Sequence, residues 1–210
     1  MLYKLIIFDF DGTLTSSMDV AYKVYQMMAQ KYRLTTLTKP QLLELKALPL
    51  FEKLRVLGIS LFDIPKLTKE SQKLGRSFLE ETQIYPGMKE LVSILKDKGY
   101  LVAIISSNIK RNIYHVLKHH EFLMFDKIIG KAKLFEKHVV IQALAKKKKI
   151  SLQDVLYIGD EVRDIHACQK INVDVAAVSW GFDDPSVLLA ERPTYLIHEV
   201  IELKNILLGN

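Results

Sequence analysis

The chain of 210 residues contains one cysteine, Cys168. No internal disulfide can form, which argues against a small secreted scaffold held by bridges. The thiol falls in an apolar helical pattern with Ile165, the setting of a buried, inert side chain rather than a nucleophile. Long hydrophobic runs are also missing. Nothing approaches the roughly 20 apolar residues of a membrane span. The apolar stretch Leu5 to Phe8 meets Asp9 and Asp11 almost at once, and a secretory signal carries no acids in its apolar region. A cytoplasmic setting without a membrane partner is expected. Compositional extremes are absent too: with 49% hydrophobic and 26% charged residues, the chain resembles neither disordered nor fibrous sequences.

What is present is a modest excess of positive charge, formally +6. The basic residues are spread along the chain. The densest run, Lys146 to Lys149, falls at the end of a predicted helix, where lysines suit both the helix dipole and solvent. This reads as a solvated face, so no nucleic-acid partner is expected. The charge can still steer an anionic small molecule. The length suits one large domain, or a domain with an insertion, and needs no covalent staple.

Short apolar runs recur at Tyr3 to Phe8, Leu101 to Ile105, Ile128 to Ile129, Val155 to Ile158 and Val173 to Val178. Near-continuous apolar strands are those of a parallel sheet covered on both faces. Helical periodicity separates them over Gly87 to Asp97, Asn108 to His119, Lys137 to Ala145 and Asp164 to Lys170. The alternation predicts an α/β fold, a doubly wound, Rossmann-like, mainly parallel sheet. Residues 16–83 differ. Tyr22, Tyr25, Met28, Leu42, Leu45, Leu54, Phe78 and Leu79 recur at helical spacings there, with no good strand. This predicts an all-helical cap inserted into a core formed by residues 1–15 and 84–210, with Pro86-Gly87 marking re-entry.

Four polar pieces interrupt this pattern. Asp9-Phe10-Asp11-Gly12-Thr13 follows the first strand, and Ser106-Ser107-Asn108 follows another. Lys137 begins a helix, and Gly159-Asp160-Glu161-Val162-Arg163-Asp164 follows a third strand. In a parallel sheet the loops at the carboxyl ends share one edge, where ligands bind. That edge would gather Asp9, Asp11, Asp160 and Asp164. Crowded carboxylates repel one another, and a hard cation such as Mg²⁺ offsets the repulsion through oxygen ligands. Lys137 and the hydroxyl and N–H groups of Ser106 suit a phosphate. A carboxylate is a competent nucleophile toward phosphorus, and a second acid two residues on suits proton transfer.

These four pieces resemble the motifs of the haloacid dehalogenase-like hydrolase superfamily, and within it the phosphoglycolate-phosphatase-like group. Val155 to Asp164, Val178-Ser179-Trp180-Gly181-Phe182 and the position of the helical insertion resemble that group as well. The resemblance implies a phosphatase hydrolysing a small phosphorylated metabolite, a phosphoglycolate-like phosphate monoester, with Mg²⁺ as cofactor and a monomer or homodimer as its form. Asp9 would be nucleophile and metal ligand. Asp11 would be the general acid/base and would bind Mg²⁺ through its carbonyl. Asp160 would complete the metal site. Phe10, Asp11, Ser106, Ser107 and Lys137 would bind the phosphate. Thr13 would support the loop, and Asp164 would hold Lys137.

Some assignments stay open. Lys131 or Lys133 stands as an alternative to Lys137, which Glu136 precedes where the family commonly has glycine. Ser107 is an alternative to Ser106, because strand ends shift by a residue or so. A phosphomutase on the same scaffold, or a protein that binds a phosphate ligand without turnover, are the competing functions. The acid two residues after Asp9 argues against a dehalogenase. His115, His119, His120, His138 and His166 form no zinc-like spacing and are expected at the surface or in packing. Tyr22, Tyr25, Met27 and Met28 are expected mainly to pack within the cap, and Trp180 to pack in the core or at the sheet edge.

Overall fold

The computed structural model of the chain describes residues 3–133 and 135–209. Strand β1 (Leu5–Phe8) is followed by the two-residue β2 (Thr15–Ser16) and then by a helical stretch. Its helices are α1 (Met18–Tyr32), α2 (Lys39–Glu44), α3 (Leu50–Leu57) and α4 (Ile64–Leu74), joined by short 3₁₀ turns. The chain returns through β3 (Gln83–Ile84). It continues with α5 (Met88–Asp97), β4 (Leu101–Ile105), α6 (Lys110–His119), β5 (Lys127–Ile129) and α7 (Lys137–Lys148). The remainder is β6 (Val155–Gly159), α8 (Val162–Gln169), β7 (Asp174–Val178), α9 (Pro185–Ala190), β8 (Tyr195–Ile197) and α10 (Val200–Leu208).

Six strands form one parallel sheet in the order β5-β4-β1-β6-β7-β8. All four residues of β1 are buried, as its central place requires. Strand alternation divides them between two cores. Ile6 and Phe8 face Met88, Leu91 and Val92 of α5 and Ile113, Val116 and Leu117 of α6. Leu5 and Ile7 face Ile141, Leu144 and Ala145 of α7 and Ile165 and Cys168 of α8. Helices thus cover both faces, which is the doubly wound α/β architecture. Cys168 is fully buried and unpaired, as its apolar surroundings suggest.

Several element ends differ from the periodicity. Helix α7 runs on through the lysine run to Lys148, with Lys149 left-handed at its end. Lysine is a good helix former and suits a helix C-terminus, so the run extends the helix instead of stopping it. Elements α9, β8 and α10 were not assigned from sequence.

Thr15 pairs with Ile84 and Ser16 with Gln83 in an antiparallel two-stranded ribbon. The segments leading into and out of the helical stretch therefore lie side by side. The stretch packs on its own small cluster of Val24, Met28 and Leu67. Polar contacts tie it to the core, among them three near the sheet's carboxyl edge. Gln72 Nε2 donates to Ser107 O at 2.7 Å, Asp184 N donates to Lys46 O at 3.0 Å, and Lys53 pairs with Asp183.

Candidate active site

Strand β1 has β4 on one side and β6 on the other, so the order of connection reverses at β1. A crevice opens there beyond the strand ends. Asp9 follows β1, Ser106 follows β4 and Asp160 follows β6. Three adjacent parallel strands thus deliver three of the predicted residues to one place, and all three side chains are buried.

Lys137 is the first residue of α7 and is fully buried. A lysine is unfavourable at a helix N-terminus, and a buried ammonium must be paired. Its Nζ donates to Asp9 Oδ2 at 2.5 Å and to Asp164 Oδ1 at 2.6 Å. Burial opposes its charge, but Asp164 and Asp9 outweigh burial and hold the ammonium well above the usual lysine range. Lys133 lies at the surface, paired with Glu136, and Lys131 is exposed. Lys137 is the lysine the structure brings to Asp9.

Asp9 Oδ1 accepts from the N–H of Phe10 at 2.6 Å. The Phe10 amide therefore serves the nucleophile candidate itself. Asp160 accepts from Thr13 Oγ1 at 2.7 Å and from the N–H of Phe182 at 2.8 Å. Gly12 has φ +78°, and a Cβ there would lie 2.2 Å from Asp160 Oδ2. Only glycine lets the loop pass this carboxylate. The single tryptophan, Trp180, stacks on Tyr85 with ring centroids 4.5 Å apart. Its Nε1 donates to Thr13 O at 3.1 Å. The tryptophan thus ties the loop after β1 to the segment returning from the cap.

Asp9, Asp160 and Asp164 each bring a carboxylate oxygen within 4.8 Å of the others. Burial, with repulsion from Glu161, Asp9 and Asp164, pushes the Asp160 carboxyl well above its ordinary range. Burial also raises Asp164 despite Lys137. Asp164 Oδ2 is buried with no hydrogen-bond partner. A set of hard oxygen donors whose mutual repulsion Lys137 offsets only in part fits a cation of the Mg²⁺ type. The sequence reading gave Asp11 a place in the metal site through its main-chain carbonyl and gave Asp164 the task of holding Lys137, which it does. Here the clustered carboxylates are Asp9, Asp160 and Asp164, with Asp164 also bound to Lys137.

The Asp11 side chain turns elsewhere. It is half-buried, and Asn108 Nδ2 donates to its Oδ2 at 2.8 Å. Burial, joined by repulsion from Asp9 and opposed by Asn108, pushes its carboxyl up to about 6. Ser106 Oγ accepts from the N–H of Asn108 at 3.1 Å, so Asn108 links the loop after β4 to Asp11. Ser106 and Ser107 both line a cavity of about 200 Å³ with Asp9, Asp11, Glu161, Arg163 and Phe182. Phe10 does not line it.

Sequence reasoning quoted Asn108, Glu161 and Arg163 within its motifs but assigned them nothing. Arg163 Nε donates to Glu161 Oε2 at 2.8 Å, and Nη2 donates to the same oxygen. Among the described residues lining the cavity Arg163 is the cation, and Lys137 does not line it. An arginine three residues after a motif aspartate was the available signal. Tyr25 and Met28 line a larger adjoining cavity, whereas Tyr22 and Met27 line neither.

A parallel sheet with acids clustered at its carboxyl edge, interrupted by a helical cap, is the layout of a hydrolase with a carboxylate-centred site. The family model described as "Haloacid dehalogenase-like hydrolase" matches residues 6–178, and the chain belongs to that family. It is similar to the phosphoglycolate phosphatase of Synechococcus elongatus, 26% identical over 201 residues covering 95% of each chain. It is similar also to that of Haemophilus influenzae, 25% identical over 220 residues covering 98% of each. Among solved structures it resembles a "predicted phosphatase" from Clostridium acetobutylicum, with TM-score 0.82, 25% identity and 100% coverage of both chains. It shares the fold of a haloacid dehalogenase-like family hydrolase from Streptococcus pneumoniae, with TM-score 0.79, 20% identity and 96% coverage of both.

Proposed function

We propose that the protein is a Mg²⁺-dependent phosphatase that hydrolyses small phosphate monoesters through an aspartyl-phosphate on Asp9. The observation that carries this reading is the placement of Asp9. Its carboxylate is held by Lys137 and by the Phe10 N–H, and it lines the same small cavity as Asp11, Ser106, Ser107 and Arg163. Full-length similarity to phosphoglycolate phosphatases supports the same class of reaction.

A phosphate monoester entering that cavity meets the Arg163 guanidinium and the Ser106 and Ser107 hydroxyls, which suit its oxygens. An Asp9 carboxylate oxygen attacks phosphorus, and the bond from phosphorus to the alcohol oxygen breaks. A carboxyl with a pKa near 6 still carries a proton in part of the population at neutral pH. Asp11 gives that proton to the departing alkoxide. Asp11, now a carboxylate, takes a proton from the water that attacks the phosphoryl-Asp9. Inorganic phosphate leaves, and both acids are restored. Lys137 holds the Asp9 carboxylate in place throughout.

Asp9 and Asp160, with the main-chain carbonyl of Asp11, would hold Mg²⁺. The ion, when bound, neutralises charge on the transferring group. The cap limits access of bulk water.

The test is phosphate release from a generic aryl phosphate and a panel of small esters, with and without Mg²⁺ and a chelator. Release should require Mg²⁺ and should vanish in Asp9→Asn while the fold persists by circular dichroism. Folded protein with Mg²⁺ that releases no phosphate from any ester would sink the reading.

A further inference from the structure

Between the helical cap and the sheet's carboxyl edge lies a second cavity of about 410 Å³. It adjoins the small one, because Asp11, Ser107 and Phe182 line both. A group esterified to a phosphate at Asp9 can extend into it. Its size falls within the range of small-molecule sites, and a two-carbon acid would leave most of it empty.

The chemistry of its walls is the informative part. They are chiefly apolar, with Val24, Met28, Leu34, Leu54, Ile59 and Leu67 from the cap. Among the described residues lining it there is no lysine, arginine or histidine. Each of its side-chain amides already donates to a protein acceptor. Gln72 Nε2 donates to Ser107 O, Asn108 Nδ2 to Asp11, and Asn112 Nδ2 to Asn108 Oδ1. Ser71 Oγ donates to Thr68 O. The charged group on the wall is Asp11, itself an acid. A substrate carboxylate here would lose its hydration without gaining a cation, which is costly.

We infer that this cavity selects phosphate monoesters whose alcohol part is uncharged and largely apolar, in place of the carboxylate-bearing ester named for the chain's relatives. The assignment rests on the phosphatase reading above and narrows its substrate class. The alcohol's hydrocarbon lies against Val24, Met28 and Leu67, and its ester oxygen lies near Asp11.

The experiment compares kcat/KM for phosphoglycolate with that for ethyl, butyl and hexyl phosphate, using the full chain with Mg²⁺. The expected result is a rise of about fourfold per added methylene until the cavity fills, from the free energy of burying a CH₂ group. Hexyl phosphate should then exceed phosphoglycolate. In Val24→Phe, checked for folding by circular dichroism, the rise should stop at a shorter chain. The wild-type series decides alone if that variant does not fold. Phosphoglycolate as the best substrate, or a flat alkyl series, would overturn the inference and leave the phosphatase reading intact. An alkyl rise of the same extent in folded Val24→Phe would overturn the placement of the chain in this cavity. Release from none of the esters would overturn the phosphatase reading itself, and the inference with it.

Discussion

The Lys137 ammonium sits 2.5 Å from Asp9 Oδ2 and 2.6 Å from Asp164 Oδ1, and all three side chains are buried. Removing the ammonium leaves two carboxylates facing each other without relief. Lys137→Ala should therefore lose about 3–5 kcal/mol of stability, the usual cost of breaking a buried pair from one side. It should also lose nearly all phosphate release, because Asp9 is then no longer held by its ammonium partner. Urea unfolding at neutral pH checks the first effect, and turnover of an aryl phosphate checks the second. Unchanged stability would mean that the pair does not bear on the fold.

The acids of this site stood out in the sequence because each lies in a short polar stretch directly after an apolar strand. Asp9 and Asp160 could be placed at one sheet edge from strand alternation alone. Lys137 was harder. Lys131 and Lys133 lie within six positions of it, and only burial separates them. The roles of Asn108 and Arg163 depend on where their side chains point, which no periodicity reveals. The pairing of Lys53 with Asp183 spans 130 positions and leaves no local mark.

A metal held by Asp160 has a consequence that turnover does not measure. A ligand that binds the folded chain alone stabilises it, by about 2.7 kcal/mol at a hundredfold excess over its dissociation constant. Mg²⁺ should therefore raise the melting temperature of the wild type. Asp160→Asn removes a charged oxygen donor and should largely abolish that rise. Thermal scans of both proteins with Mg²⁺ and with chelator decide it. An equal rise in the variant would remove Asp160 from the metal site.

Gly12 is required twice over. Its φ of +78° suits glycine, and a Cβ would come within 2.2 Å of Asp160 Oδ2. Gly12→Ala adds a backbone penalty of about 1–2 kcal/mol and pushes against a carboxylate fixed by Thr13 and Phe182. The variant should fold with reduced stability and lose most of its phosphate release. Gly99, also at positive φ but with open space around it, is the control. Gly99→Ala should show the backbone penalty alone, with turnover retained. Equal loss of turnover in both variants would show that the contact with Asp160 does not matter.

Far from the site, Asp126 provides a test of pH dependence. Its Oδ2 accepts from Lys96 Nζ at 2.6 Å and from the N–H of Val102 at 2.8 Å. Partial burial raises its pKa, but Lys96 and the Val102 N–H outweigh burial and hold the carboxyl below its ordinary value. A depressed folded pKa means that the unfolded chain binds the proton more readily. The contribution to stability is then fully present above the unfolded value of about 4. It disappears as pH falls through the lower, folded value. Asp126→Asn should cost about 1.5–3 kcal/mol at pH 7, the range for hydrogen bonds to charged groups. The cost should shrink toward zero in strong acid, where the wild type has lost the same charge. Urea midpoints of the two proteins across the acid range measure this difference directly, since titrations elsewhere are common to both. A gap that stays constant with pH would assign the stabilisation to packing and not to the carboxylate.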